Sequence, residues 1–181
     1  MSSLGFALFD TPIGRCAVVW GERGIVGFQL PEGSDELTRE RIAQLFPDAT
    51  ERDPLSSPDA RRAIDGVIAL LGGAPDSLSD VRLDLRAVPD FDGRVYAVTR
   101  AIEPGSTLTY GEVAARIGSP DAAQAVGQAL GRNPIPILVP CHRVLAAGGK
   151  TGGFSAHGGA VTKRALLTIE RAPGFDEPTL F

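Results

Sequence analysis

Apolar positions change rhythm about half-way along the chain. Up to residue 30, three short β-prone runs (residues 6–9, 16–20 and 25–30) are separated by turn formers, and Gly21-Glu-Arg-Gly24 reads as a hairpin turn between the last two. Ser34 then caps a helix that carries Leu37, Ile42, Leu45 and Phe46 on one side. Ser57-Pro58 is a cap followed by proline at the first helical position. The stripe Ile64, Val67, Ile68 and Leu71 follows, and Gly72-Gly73 ends it. Residues 81–86, Val-Arg-Leu-Asp-Leu-Arg, alternate strictly and predict a half-buried strand. Beyond residue 90 the spacing becomes helical. Phe91, Val95, Val98 and Ile102 mark one helix that Pro104-Gly105 ends, and residues 110–117 mark a second, closed by Gly118. Ser119-Pro120 predicts the start of a third, with Ala123, Val126, Ala129 and Leu130 inward and Gly131 as its stop. A last helix over about 161–171 turns Leu166, Leu167 and Ile169 inward. The pattern predicts an α+β protein, with a small N-terminal α/β domain over 1–88 and a mainly helical domain over 89–181. The second and third of these helices, with only a tight turn between them, have the pattern of a helix-turn-helix. An αα-hairpin packed on a core has the same pattern.

One stretch fits neither period. Asn133-Pro-Ile-Pro-Ile-Leu-Val-Pro-Cys-His-Arg-Val-Leu145 places Pro134, Pro136 and Pro140 among aliphatic residues directly before a Cys-His-Arg triplet. Each proline removes a backbone donor and fixes φ, so the stretch is neither helix interior nor central strand. It reads as a stiff, extended, apolar segment that presents Cys141 at its end, and a buried structural cysteine needs no such mounting. Cys141 is therefore a candidate nucleophile, whereas Cys16, inside a β-prone run, reads as a small buried hydrophobe. Glu170 falls near a helix C-terminus, where a carboxylate opposes the macrodipole and needs a partner or a task. Residues 146–159 hold six glycines in fourteen, a loop whose backbone can approach a ligand closely. Gly-Lys-Thr at 149–151 lacks the upstream glycine of a phosphate loop.

Composition narrows the classes. With 43% hydrophobic and 22% charged residues the 181-residue chain is an ordinary globular one, and no apolar run is long enough to span a membrane. No signal peptide is expected at the N-terminus. Two cysteines point to a reducing compartment, hence a cytoplasmic protein without a disulfide framework. Cys16, Cys141, His142 and His157 lack zinc-ligand spacing, so neither metal nor cofactor is expected. A net charge of −4 argues against a protein that coats nucleic acid indiscriminately. The charge is uneven, however. Residues 1–90 hold nine Lys and Arg against fifteen Asp and Glu, and residues 91–181 hold nine against seven. The second half can therefore tolerate a polyanion, with a modest footprint.

Pro140-Cys-His-Arg-Val144 resembles the active-site signature of the O6-alkylguanine-DNA alkyltransferases, the methylated-DNA–protein-cysteine methyltransferase family. The resemblance continues in Tyr110-Gly-Glu-Val-Ala-Ala, Ala125-Val-Gly, Asn133-Pro, Gly153-Phe-Ser155, Gly158-Gly159 and Lys163…Leu166-Leu167…Glu170. It is strong over about 90–172, and looser in the first half, through Thr11-Pro-Ile-Gly14 and Leu30-Pro-Glu32. It implies a ribonuclease H-like N-terminal domain followed by a winged helix-turn-helix-like catalytic domain. It also implies DNA repair by direct reversal, in which a helix-turn-helix meets the minor groove of double-stranded DNA and a guanine alkylated on O6 is flipped out. Cys141 then takes the alkyl group irreversibly, once per molecule, and O4-alkylthymine is a further candidate substrate. By motif position Cys141 is the acceptor, His142 the base acting through a water, and Glu170 the residue that orients it. Tyr110 donates towards the base, Asn133 sits at the hinge between recognition helix and nucleophile, and Phe154 and Ser155 close the pocket. Arg132 and Arg143 are candidate DNA contacts, Arg143 with an equal claim to a structural role. The protein is expected to act as a monomer.

Two positions depart from the family pattern. Gln124 stands where the family usually has an arginine that fills the gap left by the flipped nucleotide, and Arg132 is a candidate substitute for it. Ala156-His157 look like an insertion before the glycine pair. The alternative reading is a lesion-binding module that recognises alkylated DNA with weak or no transfer. A thiol hydrolase unrelated to DNA is a third, disfavoured because Cys141 and His142 adjoin in sequence.

Overall fold

The three N-terminal runs form an antiparallel meander, β1 (Leu4–Thr11), β2 (Gly14–Gly21) and β3 (Gly24–Gln29), in this computed structural model, which describes residues 3–152 and 159–175. Gly24, at φ +129°, closes the expected hairpin turn, and a Cβ there would stand 2.5 Å from the Arg82 carbonyl oxygen. β4 (Ala49–Glu51) pairs parallel with β1, giving the order β3-β2-β1-β4. Strand alternation gives the sheet two apolar faces. Ala7, Phe9, Cys16, Val18 and Trp20 belong to one core, while Phe6, Leu8, Ala17 and Val19 belong to the other. Helix α1 (Asp35–Leu45) covers the second face through Ile42, and α2 (Pro58–Leu71) covers the first. Ser34 and Ser57 cap them by accepting the Leu37 and Ala60 N–H groups, each at 3.2 Å. Such a cap contributes about 1 kcal/mol.

Three expectations for this half are corrected. α1 buries Thr38 and Ile42, and leaves Leu37 and Leu45 each 50% exposed. α2 buries Ala60, Ala63, Val67, Leu70 and Leu71, while Ile68 faces solvent. Its contact face is set by small residues: a Cβ on Gly66 would stand 2.2 Å from Leu78 Cδ2. Residues 81–86 are not a strand. They make one parallel bridge, Leu83 to Ile25, with the Ile25 N–H donating to Arg82 O at 2.9 Å and the Asp84 N–H to Ile25 O at 2.8 Å. The Asp84 carboxylate then takes both the N–H and the guanidinium of Arg86, which turns the chain off the sheet.

The second half comprises α3 (Asp90–Arg100), β5 (Leu108–Thr109), α4 (Tyr110–Arg116), α5 (Ala123–Gly131), β6 (Val144–Leu145) and α6 (Gly159–Ile169). Thr109 and Glu112 form a reciprocal capping box at the start of α4. Ser119 does not start the next helix, because it finishes the previous one. With Gly118 at φ +80°, the Ser119 N–H donates to Ala114 O and the Gly118 N–H to Ala115 O, the pattern of a Schellman stop. α5 therefore begins only at Ala123.

One buried cluster runs from Val18 and Trp20 through Val67 and Leu70 to Tyr96, Ile135, Leu138 and Val144, so the two halves share a core. Arg100 on α3 reinforces the junction by donating to the carbonyls of Leu78 and Val81. No helix among the described residues is long and apolar enough to cross a membrane.

Candidate active site

The two-residue strands β5 and β6 pair in parallel, Leu108 with Val144 and Thr109 with Leu145. That small ladder fixes the site. Tyr110 is the residue after β5, and Cys141–Arg143, a single 3-10 turn, immediately precedes β6. Residues more than thirty positions apart in the chain are thus brought side by side.

The segment leading to Cys141 is stiff and apolar, as expected, but it is folded rather than extended. Asn133 closes it from within. Its Oδ1 accepts the Ile135 N–H and its Nδ2 donates to Val139 O, both at 2.9 Å. The Leu138 N–H bonds to Pro136 O across Ile137, which is held at φ +71°. An i to i+2 bond about such a residue is the rare form of γ-turn, and a β-branched residue there stores about 1–3 kcal/mol of strain. A second, relaxed turn follows at Pro140 (φ −78°, ψ 64°), where the Cys141 N–H donates to Val139 O at 2.7 Å. Ile135, Ile137, Leu138 and Val139 are buried and over-determine this shape. The strap is also tied to the sheet, because the Phe28 N–H of β3 donates to Pro134 O at 3.0 Å.

Around Cys141 the charges are buried. Glu170 lies just past the end of α6, and its carboxylate meets His142 Nε2 at 2.6 Å and Arg143 Nε at 2.8 Å. The side chains of all three are at most 3% exposed. Arg143 also donates through Nη1 to Ile102 O at 2.7 Å. Burial alone would raise the Glu170 carboxyl, and its hydrogen bonds to His142 and Arg143 overcome that, holding it at about 2. Burial pushes the His142 imidazole down against the pull of Glu170. A neutral His142 lends Glu170 a hydrogen bond without a charge, so Arg143 is the permanent cation that keeps the carboxylate ionised. With Nε2–H donated to Glu170, the lone pair of the ring lies on Nδ1, which has no protein partner among the described residues.

Cys141 is 8% exposed, and burial pushes its thiol up. The Asn133 amide, the Lys163 charge and the backbone N–H groups of Cys141 and His142 pull the other way. Tyr110 is half-buried and its phenol is raised by burial and by the neighbouring Cys141. Lys163 belongs to the family pattern but had no role assigned from the sequence. It is 1% exposed, its Nζ donates to Val144 O at 2.7 Å and stands 5.7 Å from the centre of the Tyr110 ring, and burial lowers it to about 8. The signal was present: Lys163, Leu166, Leu167 and Glu170 share one helical face. Tyr96, unforeseen from the sequence, donates its hydroxyl to Ala129 O at 2.6 Å, anchoring α5 to α3.

The structure therefore brings together Cys141, His142, Glu170, Tyr110 and Asn133. Arg143 is corrected from a candidate DNA contact to an interior partner of Glu170, since its side chain is 2% exposed. Gln124 is exposed on the first turn of α5. Arg132 caps the other end of that helix, eight residues and about 12 Å away at the helical rise. It is bound there by both Asp92 oxygens, at 2.9 and 3.0 Å, so it does not stand in for an arginine at 124. Phe154, Ser155 and the Ala156-His157 insertion lie outside the described residues. Among the described residues no three His, Cys, Asp or Glu side chains are grouped to hold a metal ion.

Residues 90–172 match the family model described as "6-O-methylguanine DNA methyltransferase, DNA binding domain". A methylated-DNA–protein-cysteine methyltransferase of Methanothermobacter thermautotrophicus is 35% identical over 161 residues, 88% of this chain and 81% of that protein. The chain belongs to this methyltransferase family. A second member, from Mycobacterium tuberculosis, is 51% identical over 102 residues, and that match spans 56% of this chain and 60% of the mycobacterial protein. Among solved structures, the M. tuberculosis methyltransferase in complex with DNA superposes with a TM-score of 0.73 at 36% identity, covering 94% of this chain and 96% of that one. The mixed α and β fold is thus that of the family.

Proposed function

We propose that this methyltransferase-family chain repairs DNA by moving the alkyl group of an O6-alkylguanine onto Cys141, once per molecule. The observation that carries the reading is the chain of contacts Glu170–His142 beside Cys141, buried together and backed by Arg143. An alkyl carbon calls for a soft nucleophile, which a thiolate is and a hydroxyl is not. Glu170 fixes His142 with its Nδ1 lone pair free to take the thiol proton, through an intervening water, as the third member of a triad does. The thiolate attacks the alkyl carbon; the C–S bond forms, the C–O6 bond breaks, and its electron pair leaves with guanine. Tyr110, as a raised phenol, keeps its proton at neutral pH and donates towards the departing base. A thioether is not hydrolysed, so the protein is consumed.

The target lies inside the base stack, and the reading therefore includes flipping of the nucleotide. α4 and α5 serve as the helix-turn-helix that meets the minor groove of double-stranded DNA, with exposed Gln124 as a partial plug. The β3-β2-β1-β4 sheet is read as ribonuclease H-like, the C-terminal part as winged helix-turn-helix-like, with the division at residues 88 and 89. Action as a monomer in the cytoplasm, and closure of the pocket by Phe154 and Ser155, belong to the same reading. Intact mass after incubation with a methylated-guanine duplex tests it: the protein gains one methyl group and Cys141→Ala gains none. A bound lesion without mass gain would favour the lesion-binding alternative instead.

A further inference from the structure

α5 joins the two places that the proposed transfer must bring together. Gln124 is exposed on its first turn, and Arg132 caps its last, where Asn133 begins the strap that carries Cys141. α3 grips that last turn at two points. The Tyr96 hydroxyl donates to Ala129 O at 2.6 Å. Asp92, one turn earlier on α3, accepts the Arg132 guanidinium on both carboxylate oxygens, at 2.9 and 3.0 Å. The Asp92 side chain is 4% exposed, whereas that of Arg132 is 57% exposed. Beside the pair lies a pocket of about 420 Å³, walled also by Val26, Phe46, Val88 and Pro134. On that side, hydrogen bonds rather than packed side chains locate the end of the helix. We propose that Asp92 is a positioning residue for transfer from DNA: acting through Arg132, it fixes the direction in which α5 presents Gln124 to the duplex and the flipped base to Cys141.

This role rests on the alkyl-acceptor reading above, and it falls to a residue outside the motifs that carry the family resemblance. A buried ion pair is a poor source of stability, because apolar residues in its place often do as well. What a two-bond fork supplies is direction. Direction matters at this helix end because Gln124 lies eight residues from Arg132, about 12 Å at the helical rise, so a tilt of about 10° swings it by about 2 Å. A misplacement of about 1 Å can cost a reaction roughly a hundredfold. The strap does not depend on the same grip. The Asn133 amide closes it from within, and the Phe28 N–H holds it to the sheet through Pro134 O. Loss of Asp92 therefore falls on delivery of the base and spares the thiol.

Two substitutions break the pair from opposite sides. Asp92→Asn keeps the shape and removes the charge, and Arg132→Lys keeps the charge and removes the fork. Both variants, their combination and wild-type protein are compared in two assays. One is single-turnover methyl transfer from a methylated-guanine duplex at saturating protein. The other is alkylation of Cys141 by iodoacetamide without DNA, located by peptide mass. The first needs α5, and the second needs only the thiol and the strap. Each variant is expected to lose about tenfold or more in transfer from the duplex and to stay within about twofold of wild-type protein towards iodoacetamide. The combined variant is expected to be no slower than the slower single one, since both substitutions remove the same contact. Duplex rates that match wild-type protein in either variant overturn the inference. So does an equal fall in both assays, the mark of a merely structural role, and so do losses that multiply in the combined variant. Failure of wild-type protein on the duplex overturns the alkyl-acceptor reading itself, so the two failures are told apart.

Discussion

Arg62 and Glu170 each sit at the centre of three charged or titratable side chains, one in each half of the molecule. Arg62 grips two carboxylates, Asp76 at 2.9 Å and Asp80 at 2.8 Å, with 36% of its side chain in solvent. Glu170 grips His142 and Arg143 at similar distances, with 3% in solvent. The geometry is alike and the energetics are opposite. A screened surface cluster is worth ~1 kcal/mol or less per pair. A buried one must first recover the cost of dehydrating its charges, and it is intolerant of losing a member. The N-terminal half keeps its charges outside and its cores apolar. The C-terminal half accepts buried charge and a strained γ-turn close to Cys141. Local cost of this kind marks the part of the fold that has chemistry to perform.

The sharpest way to break the comparison is to remove the buried centre. Glu170→Ala leaves Arg143 and His142 without their shared carboxylate, and is expected to cost roughly 3–5 kcal/mol in urea unfolding as well as alkyl transfer. An unfolding midpoint close to that of wild-type protein would show that the cluster is not paying its way as a unit.

Lys163→Met comes next. In wild-type protein Lys163 is lowered from 10.5 to about 8, so between those values the unfolded chain holds a proton that the folded one has released. Stability contributed by this site therefore rises with pH across that window. Lys163→Met should lack that rise in urea midpoints taken at pH 8 and pH 10, and it should transfer methyl more slowly for want of the charge beside the thiolate.

The acid limb is a third test. His142 is lowered from 6.5 by burial, so as pH falls through 6.5 the unfolded chain binds a proton that the folded one refuses, and stability drops. Glu170 adds a further loss as pH falls from 4.5 towards about 2. His142→Asn should show a smaller drop between pH 7.5 and pH 5.5 than wild-type protein. Smallest of all is Asp76→Asn in the surface cluster. It keeps the bond to the Leu78 N–H and should shift unfolding by no more than about 1 kcal/mol, less in high salt.

Much of the fold was legible wherever a local signal decides a local structure. Ser34 and Ser57-Pro58 start the helices they were expected to start, and Gly21 to Gly24 turns the hairpin. Where a residue has two uses, sequence is ambiguous. Ser119-Pro120 resembles a helix start, yet Ser119 is spent on the stop of α4. The alternation of residues 81–86 satisfies a strand pattern, but only one bridge forms before Asp84 captures Arg86. The prolines announce a stiff strap, though nothing in them dictates φ +71° at Ile137, which is imposed by the bond across it and the core beneath. At the site, the resemblance named Cys141, His142 and Glu170 with roles and Lys163 without one, because a lysine on a helix reads as solvated until its burial is seen.

The bond from the Phe28 N–H to Pro134 O has a consequence for solubility. The outer edge of β3 carries unpaired backbone groups, the kind of edge on which chains recruit one another into aggregates. Here that edge is occupied at one end by residues 82–84 and at the other by the strap. The segment that carries Cys141 is also the edge guard of the sheet. A substitution that loosens the strap therefore also uncovers the edge of β3, so access to Cys141 and protection of the sheet depend on the same segment.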